Sequence, residues 1–226
     1  GHTFGDDVDT LPVGWDHVEL RVDAQSVSKD ALEALGIEVG DIVAVDPQPE
    51  FVNGYVVSRH LDNKGGVALM LAALRALAGG PPPPVDIWWL FTVAEEVGYG
   101  AAAILTPEIA QLVAVDNGTT APGQNSREFG VTFCMADMDG PFDRDLTRAL
   151  VDLCEAEGIG YQKDVFRHYR SDSASALVSG ADIRTALATF GVDASHGYER
   201  IHVDALVSVA RLLVAYALSP AEQAPD

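Results

Sequence analysis

The hydrophobic pattern of the chain changes in character near residue 56. Before that point, apolar positions come in short stretches, and the alternating segment 14–24, GWDHVELRVDA, predicts a strand. Residues 26–41, SVSKDALEALGIEVGD, predict a capped short helix with a glycine stop. Short strands around an Asn-Gly turn are expected next. We therefore predict that residues 1–55 form part of a small, β-rich module.

After this module, predicted strands alternate with longer helices. Residues 62–78 carry apolar side chains at helical spacing, and the apolar run 85–93, VDIWWLFTV, predicts a strand covered on both faces. Further elements are predicted as strands at 112–116, 131–137, 161–166 and 184–190, and as helices at 143–157 and 203–217. This alternation predicts an α/β fold for residues 56–219, with helices on both sides of a central sheet, and a frayed tail at 220–226.

The composition excludes several classes of partner. The 226 residues include 14 Lys and Arg against 34 Asp and Glu, a net charge of −20. This acidity argues against a nucleic-acid partner and against an anionic membrane surface. No apolar run approaches the roughly 20 residues of a membrane span, and no signal peptide is visible. With two cysteines, the sequence favours a soluble protein of the reducing cytoplasm.

Four places put a metal-binding side chain at the end of an apolar strand or at the start of a helix. They are Asp62, the adjacent pair Glu95 and Glu96, Asp116 and His196. Burying a carboxylate costs several kcal/mol unless it is paired or bound to a metal. Neighbours on a strand point to opposite sides, so the two glutamates could do different work. Oxygen and imidazole ligands of this kind suit zinc, cobalt or manganese.

Each of these positions also has a purely structural interpretation. Glu95 and Glu96 could be a solvated strand end, and Asp62 could be only a helix N-cap. Asp116, which precedes Asn-Gly, could be only a turn residue. His196 could be a hydrogen-bonded loop histidine.

Several segments of the sequence resemble the dinuclear-metal aminopeptidases, which include the glutamyl, deblocking and tetrahedral aminopeptidases. They are SRHLDNKGGVALML, FTVAEEVGYGA, VAVDNG and YRSDSASA, in matching order and spacing. The first 24 residues and ASHGYERIHVDAL look most like a bacterial branch associated with synthesis of an acetylated glutamine dipeptide osmoprotectant. The resemblance implies a phosphorylase/hydrolase-like catalytic domain, with a mostly parallel sheet between helices. It also implies that residues 1–55 are part of an inserted, dimerisation-type β domain.

The resemblance further implies a role for each candidate residue. Asp62 would bridge two divalent metal ions, for which zinc is favoured over cobalt or manganese. Glu96 and His196 would complete the ligands of one ion, and Asp116 would belong to the other. Glu95 would be the general base that takes a proton from the attacking water.

Two further residues are candidates for lining the site. Asp172 could line it or could only support a turn, and His60 lies two residues before Asp62. The family also takes a histidine from an early His-x-Asp block, and no histidine of this chain fits that block. We therefore interpret the chain as a C-terminal fragment, which lacks the N-terminal part of the catalytic domain. Such a fragment should hold at most one metal tightly.

The leading functional hypothesis is a metal-dependent aminopeptidase that acts on peptides and forms a homo-oligomer when full length. One alternative keeps the metal site and changes the substrate: an amidohydrolase or deacylase acting on an N-acylated amino acid or small acylated dipeptide. The other alternative is an inactive fragment. Release of a free N-terminal residue separates the first two hypotheses, and metal content separates both from the third.

Overall fold

The computed structural model describes residues 5–220, apart from the side chain of Val8. The chain divides into two compact units, Gly1–Val45 and Asp46–Asp226. Residues 221–226 of the predicted tail lie outside the described part. The assignment of residues 1–55 to an inserted domain and of 56–219 to a catalytic domain stays a prediction.

The smaller unit contains short helices and no strand within residues 5–45. Helix α1 is Asp7–Thr10, and helix α2 is Lys29–Glu33, where Ser28 accepts a hydrogen bond from the Ala31 amide at 3.2 Å, as a cap should. The strand predicted over 14–24 is wrong, since a 3-10 turn occupies Trp15–His17. Alternation alone does not make a strand, because the backbone also needs a partner for its hydrogen bonds.

A small antiparallel sheet begins the larger unit. Strands β1 (Glu50–Val52) and β2 (Tyr55–Ser58) form a hairpin around Asn53 and Gly54, whose φ angles of 52° and 84° fit the expected Asn-Gly turn. Strand β2 pairs on its other side with β8 (Glu199–His202). This pairing places Glu199 next to the start of the helix Leu61–Leu77.

The central sheet contains the other five strands: β3 (Gln111–Thr119), β4 (Val131–Asp137), β5 (Gly140–Pro141), β6 (Tyr161–Val165) and β7 (Arg184–Val192). Its order is β3-β7-β4, with β5 and β6 both paired to β4. The two longest pairings, β3 with β7 and β4 with β6, are parallel, whereas β4 runs antiparallel to β7 and β5. The predicted α/β class with a mostly parallel sheet is confirmed.

The described part of the larger unit contains four α-helices: α3 (Leu61–Leu77), α4 (Arg144–Ala156), α5 (Asp172–Val178) and α6 (Val203–Leu218). The main core joins α3, α4 and α6 to one face of the sheet, with Phe133 and Phe190 fully buried in it. Adjacent strand residues, such as Cys134 and Leu187, belong to a second buried cluster with Phe166. The sheet is therefore covered on both faces. No helix in the described residues is long and apolar enough to cross a membrane.

The apolar run 85–93 is not the buried strand that its composition predicts. No strand among residues 5–220 pairs with it, and it has no regular secondary structure. The side chains of Trp88 and Val93 are 60% and 101% exposed. A strand depends on ladder hydrogen bonds from neighbours, so an apolar run without a paired neighbour stays irregular.

Gly130 offers a test of the packing between β4 and the loop before β6. It has a φ of +72°, and an added Cβ would overlap the Gly160 carbonyl, whereas Gly158, with φ +61°, has open space around it. The left-handed backbone costs a non-glycine residue roughly 1–2 kcal/mol, and overpacking adds roughly 1–3 kcal/mol. We predict that Gly130→Ala lowers the free energy of unfolding by about 2–5 kcal/mol and Gly158→Ala by only about 1–2 kcal/mol. Equal losses in urea denaturation would contradict this packing.

Candidate metal site

A cleft of about 470 Å³ in the larger unit gathers most of the candidate residues. Its walls come from the start of α3, the 3-10 turn after the run 85–93, strand β3, the start of α5 and the loop after β7. The structure brings together in this cleft all five residues proposed for metal binding and catalysis: Asp62, Glu95, Glu96, Asp116 and His196.

Three of these side chains converge on one point. Nε2 of His196 lies 3.1 Å from a carboxylate oxygen of Asp62 and 3.7 Å from one of Glu96. One ligand atom of each residue lies within 4.8 Å of the others. Bonds of about 2.0–2.2 Å to one ion separate its ligands by about 3–4 Å. The two distances from His196 fall in this range, and the three side chains are placed to hold a single divalent cation.

Asn63 fixes the start of helix α3 beside strand β3. Asp62 and Asn63, joined by a cis peptide bond, have non-helical backbone angles. The Asn63 side chain donates to the Val115 carbonyl at 2.8 Å and accepts from the Gly66 amide at 3.1 Å. Asn63 rather than Asp62 thus accepts the helix amide, which leaves the Asp62 carboxylate facing the cleft.

Asp116 is buried within strand β3 and is not the turn residue that the Asn-Gly sequence allowed. One of its oxygens accepts the Asn117 amide at 2.7 Å. Burial first, and then the charges of Asp62 and Glu95, raises the pKa of the Asp116 carboxyl well above its usual range. Asp116 is therefore electrostatically coupled to the other acidic groups of the cleft.

Glu95 and Glu96 lie on a 3-10 turn, not on a strand as expected. Burial first, and then the charges of Asp172, Glu96 and Asp62, raises the pKa of Glu95 to about 7. Burial and the charge of Asp62 also raise the pKa of Glu96, while His196 opposes that rise. The two glutamates differ in their neighbours. The Glu96 carboxylate lies near the His196 ring, whereas Glu95 is not one of the three side chains that could share a metal ion.

Asp172 both lines the cleft and supports the segment that carries the glutamates. Its carboxylate accepts hydrogen bonds from the Thr92 hydroxyl at 2.7 Å and from the Ala101 amide at 3.1 Å. An added Cβ at Gly100 would overlap this carboxylate, so the close approach needs glycine there. His60 is exposed just before α3 and is not among the residues that line the cleft.

Glu199 is a residue of the site that the sequence interpretation missed. Its side chain is only 1% exposed, and its two oxygens accept the backbone amides of Asp62 at 3.0 Å and of His196 at 3.1 Å. One buried carboxylate thus holds the backbone at two of the three converging residues. The sequence did carry a signal for this role. Glu199 lies two residues before Ile201, so in a strand the two side chains point to the same face, which in β8 is the buried one.

Comparison with known proteins identifies relatives of the chain. The sequence model of a family described as M42 glutamyl aminopeptidase matches residues 2–212. A curated relative from Bacillus subtilis (strain 168), named "Putative aminopeptidase YhfE", is 38% identical over 207 residues. The matched region is 91% of this chain and 60% of that relative. The chain therefore spans about three fifths of the relative's length.

Solved structures share the fold at lower sequence identity. Aminopeptidase APDkam598 from the archaeon Desulfurococcus kamchatkensis superposes with a TM-score of 0.77 at 24% identity, over 87% of this chain and 58% of that one. The TET1 peptidase of Pyrococcus horikoshii gives a TM-score of 0.63 at 24% identity, over 75% and 53% of the two chains. At such identities the likeness supports the fold alone.

We predict that Glu199→Gln weakens both folding and metal binding. The amide group replaces one of the two acceptors with a donor that faces a backbone N–H. Loss of a charged hydrogen bond of this kind costs about 1.5–3 kcal/mol of unfolding free energy. Removing a group that orients metal ligands typically costs 10–100-fold in metal affinity, which a zinc competition assay would measure.

Glu155→Gln is the matched control for this substitution. Glu155 is exposed, and among the described residues its side chain accepts only the Tyr161 hydroxyl, at 2.7 Å. Its substitution should change stability by less than about 0.5 kcal/mol and should leave zinc affinity unchanged. If Glu199→Gln behaved like this control, Glu199 would not position the ligands.

Proposed function

Because the chain belongs to the M42 glutamyl aminopeptidase family, we propose that it carries the metal-binding part of an aminopeptidase that removes N-terminal residues from peptides. The observation that carries this proposal is the convergence of Asp62, Glu96 and His196, with Glu95 beside them in the same cleft.

The side chains present are suited to binding divalent metal ions. Asp62, Glu96 and His196 would hold one ion, and Asp116, together with Asp62, would contribute to a second. One imidazole and several carboxylates suit zinc first, with cobalt or manganese as alternatives. When bound, the metal would supply Lewis acidity toward the scissile carbonyl and toward water.

Glu95 is the group left free to move protons. It lies next to Glu96 in the chain and lines the same cleft, yet it is not one of the three converging ligands. In the proposed reaction its carboxylate takes a proton from the attacking water and delivers it to the nitrogen of the leaving peptide. The acidic walls of the cleft would also attract the positively charged N-terminus of a substrate.

We also propose a cytoplasmic location and a homo-oligomeric state for the protein. Cys134 and Cys154 are both free and buried, which is compatible with a reducing compartment. The TET1 peptidase of Pyrococcus horikoshii can assemble into a tetrahedron or a large octahedral shell. Light scattering of the purified protein would test the proposed assembly.

Glu95→Gln in the active enzyme should retain its metal and lose turnover by roughly 10²- to 10⁴-fold, the usual contribution of a general acid-base group. Elemental analysis would measure the metal, and hydrolysis of leucine p-nitroanilide would measure turnover. Glu108→Gln, an exposed glutamate outside the cleft, is the control and should change neither quantity.

Two other results would revise the proposal. If Glu95→Gln lost its metal while Glu96→Gln kept it, the roles of the two glutamates would be exchanged. If the unsubstituted protein cleaved only N-acetylated substrates and left free N-termini intact, it would be a deacylase and not an aminopeptidase.

A further inference from the structure

Within residues 5–220, a single permanently charged cation lines the cleft. Among the described residues that line it, Arg170 is the only Arg or Lys, against five carboxylates. Its side chain is exposed to solvent, on the loop that leads from β6 into α5. A cation in such an acidic setting could simply neutralise a neighbouring carboxylate, so its contacts decide its role.

Arg170 is not engaged by the acidic groups of the cleft. Its guanidinium makes no ion pair within 4.0 Å and no hydrogen bond with any other residue in the range 5–220. It lies beside Gly98, where a Cβ added to the glycine would be 3.5 Å from Nη2. Gly98 closes the turn that carries Glu95 and Glu96 and also lines the cleft. The guanidinium thus stands on the cleft wall with its donors free.

The cleft therefore contains groups of opposite charge. The carboxylates around Asp62 attract the ammonium group of a peptide N-terminus, and the guanidinium attracts an anion. The planar fork of arginine matches a carboxylate, which it can bind through two parallel hydrogen bonds. The other residues that line the cleft include several apolar and aromatic side chains: Tyr99, Ala102, Met138, Ala174 and Val178.

We propose that Arg170 determines substrate specificity by binding a carboxylate of the peptide substrate, an inference that rests on the proposed aminopeptidase function. The carboxylate has two sources in peptides. It is either the side chain of an acidic N-terminal residue or the C-terminal carboxylate of a short peptide. Both sources place a negative charge a few bonds away from the N-terminal amine of the peptide.

Peptide binding to the zinc-loaded Glu95→Gln protein tests this proposal without depending on turnover. Isothermal titration would compare Leu-Leu with its C-terminal amide, and Glu-Leu-amide with Gln-Leu-amide. Adding Arg170→Gln should weaken binding of the carboxylate-bearing member of one pair by about 10- to 100-fold and leave the uncharged members unchanged. Arg170→Lys, which keeps the charge and loses the fork, should give an intermediate loss.

Arg167→Gln is the matched control, because Arg167 is also exposed on this loop and does not line the cleft. A loss confined to Leu-Leu identifies the C-terminal carboxylate, and a loss confined to Glu-Leu-amide identifies the side chain. The proposal is overturned if Arg170→Gln changes no affinity, or if it weakens charged and uncharged members equally. The proposed function fails separately, if the protein without substitutions hydrolyses no peptide at all.

Discussion

Mutual repulsion among partly buried carboxylates is the constraint on which this structure depends. Asp62, Glu95, Glu96, Asp116 and Asp172 share one cleft. Burial and their mutual charges raise the pKa of Glu95, Glu96 and Asp116, so the fold holds these acids where they are costly to ionise. A bound divalent cation would remove much of that cost, because its charge would act on these carboxylates at short range.

The fold holds these acids mainly through hydrogen bonds to backbone groups. Glu199 binds the amides at Asp62 and His196, Asn63 ties the start of α3 to β3, and Asp172 ties the glutamate segment to α5. Apart from the Glu199 bond to the nearby His196 amide, each bond connects segments that are far apart in sequence, so the ligands are positioned largely by the tertiary structure. A metal site requires such positioning, since hydrogen bonds from surrounding residues orient the ligands before the ion binds.

The sequence predicts a helix or strand correctly where the evidence for it lies in the local pattern of apolar and polar residues. The helical spacing of 62–78 and the strand patterns of 131–137 and 184–190 closely match α3, β4 and β7, because side-chain periodicity reflects burial directly. The run 85–93 failed because strand formation depends on a paired neighbour, which composition does not reveal.

The candidate site shows the same division between local and tertiary information. All five candidates for metal binding and catalysis line the cleft, and each had been noted because it lies next to a predicted strand or helix end. The different roles of Glu95 and Glu96 were predicted from the alternation of side chains along a strand, yet the two residues lie on a 3-10 turn. Glu199 was missed because its role lies in two hydrogen bonds, one of them to an amide 137 residues away in the chain.

The most direct test of the central claim is anomalous scattering at the zinc edge from crystals grown with zinc. We predict one strong peak bounded by the Asp62 and Glu96 carboxylates and Nε2 of His196, with bonds of about 2.0–2.2 Å. The peak should be lost from the His196→Ala protein. A zinc peak centred away from these three side chains, or one that persists without His196, would contradict the account.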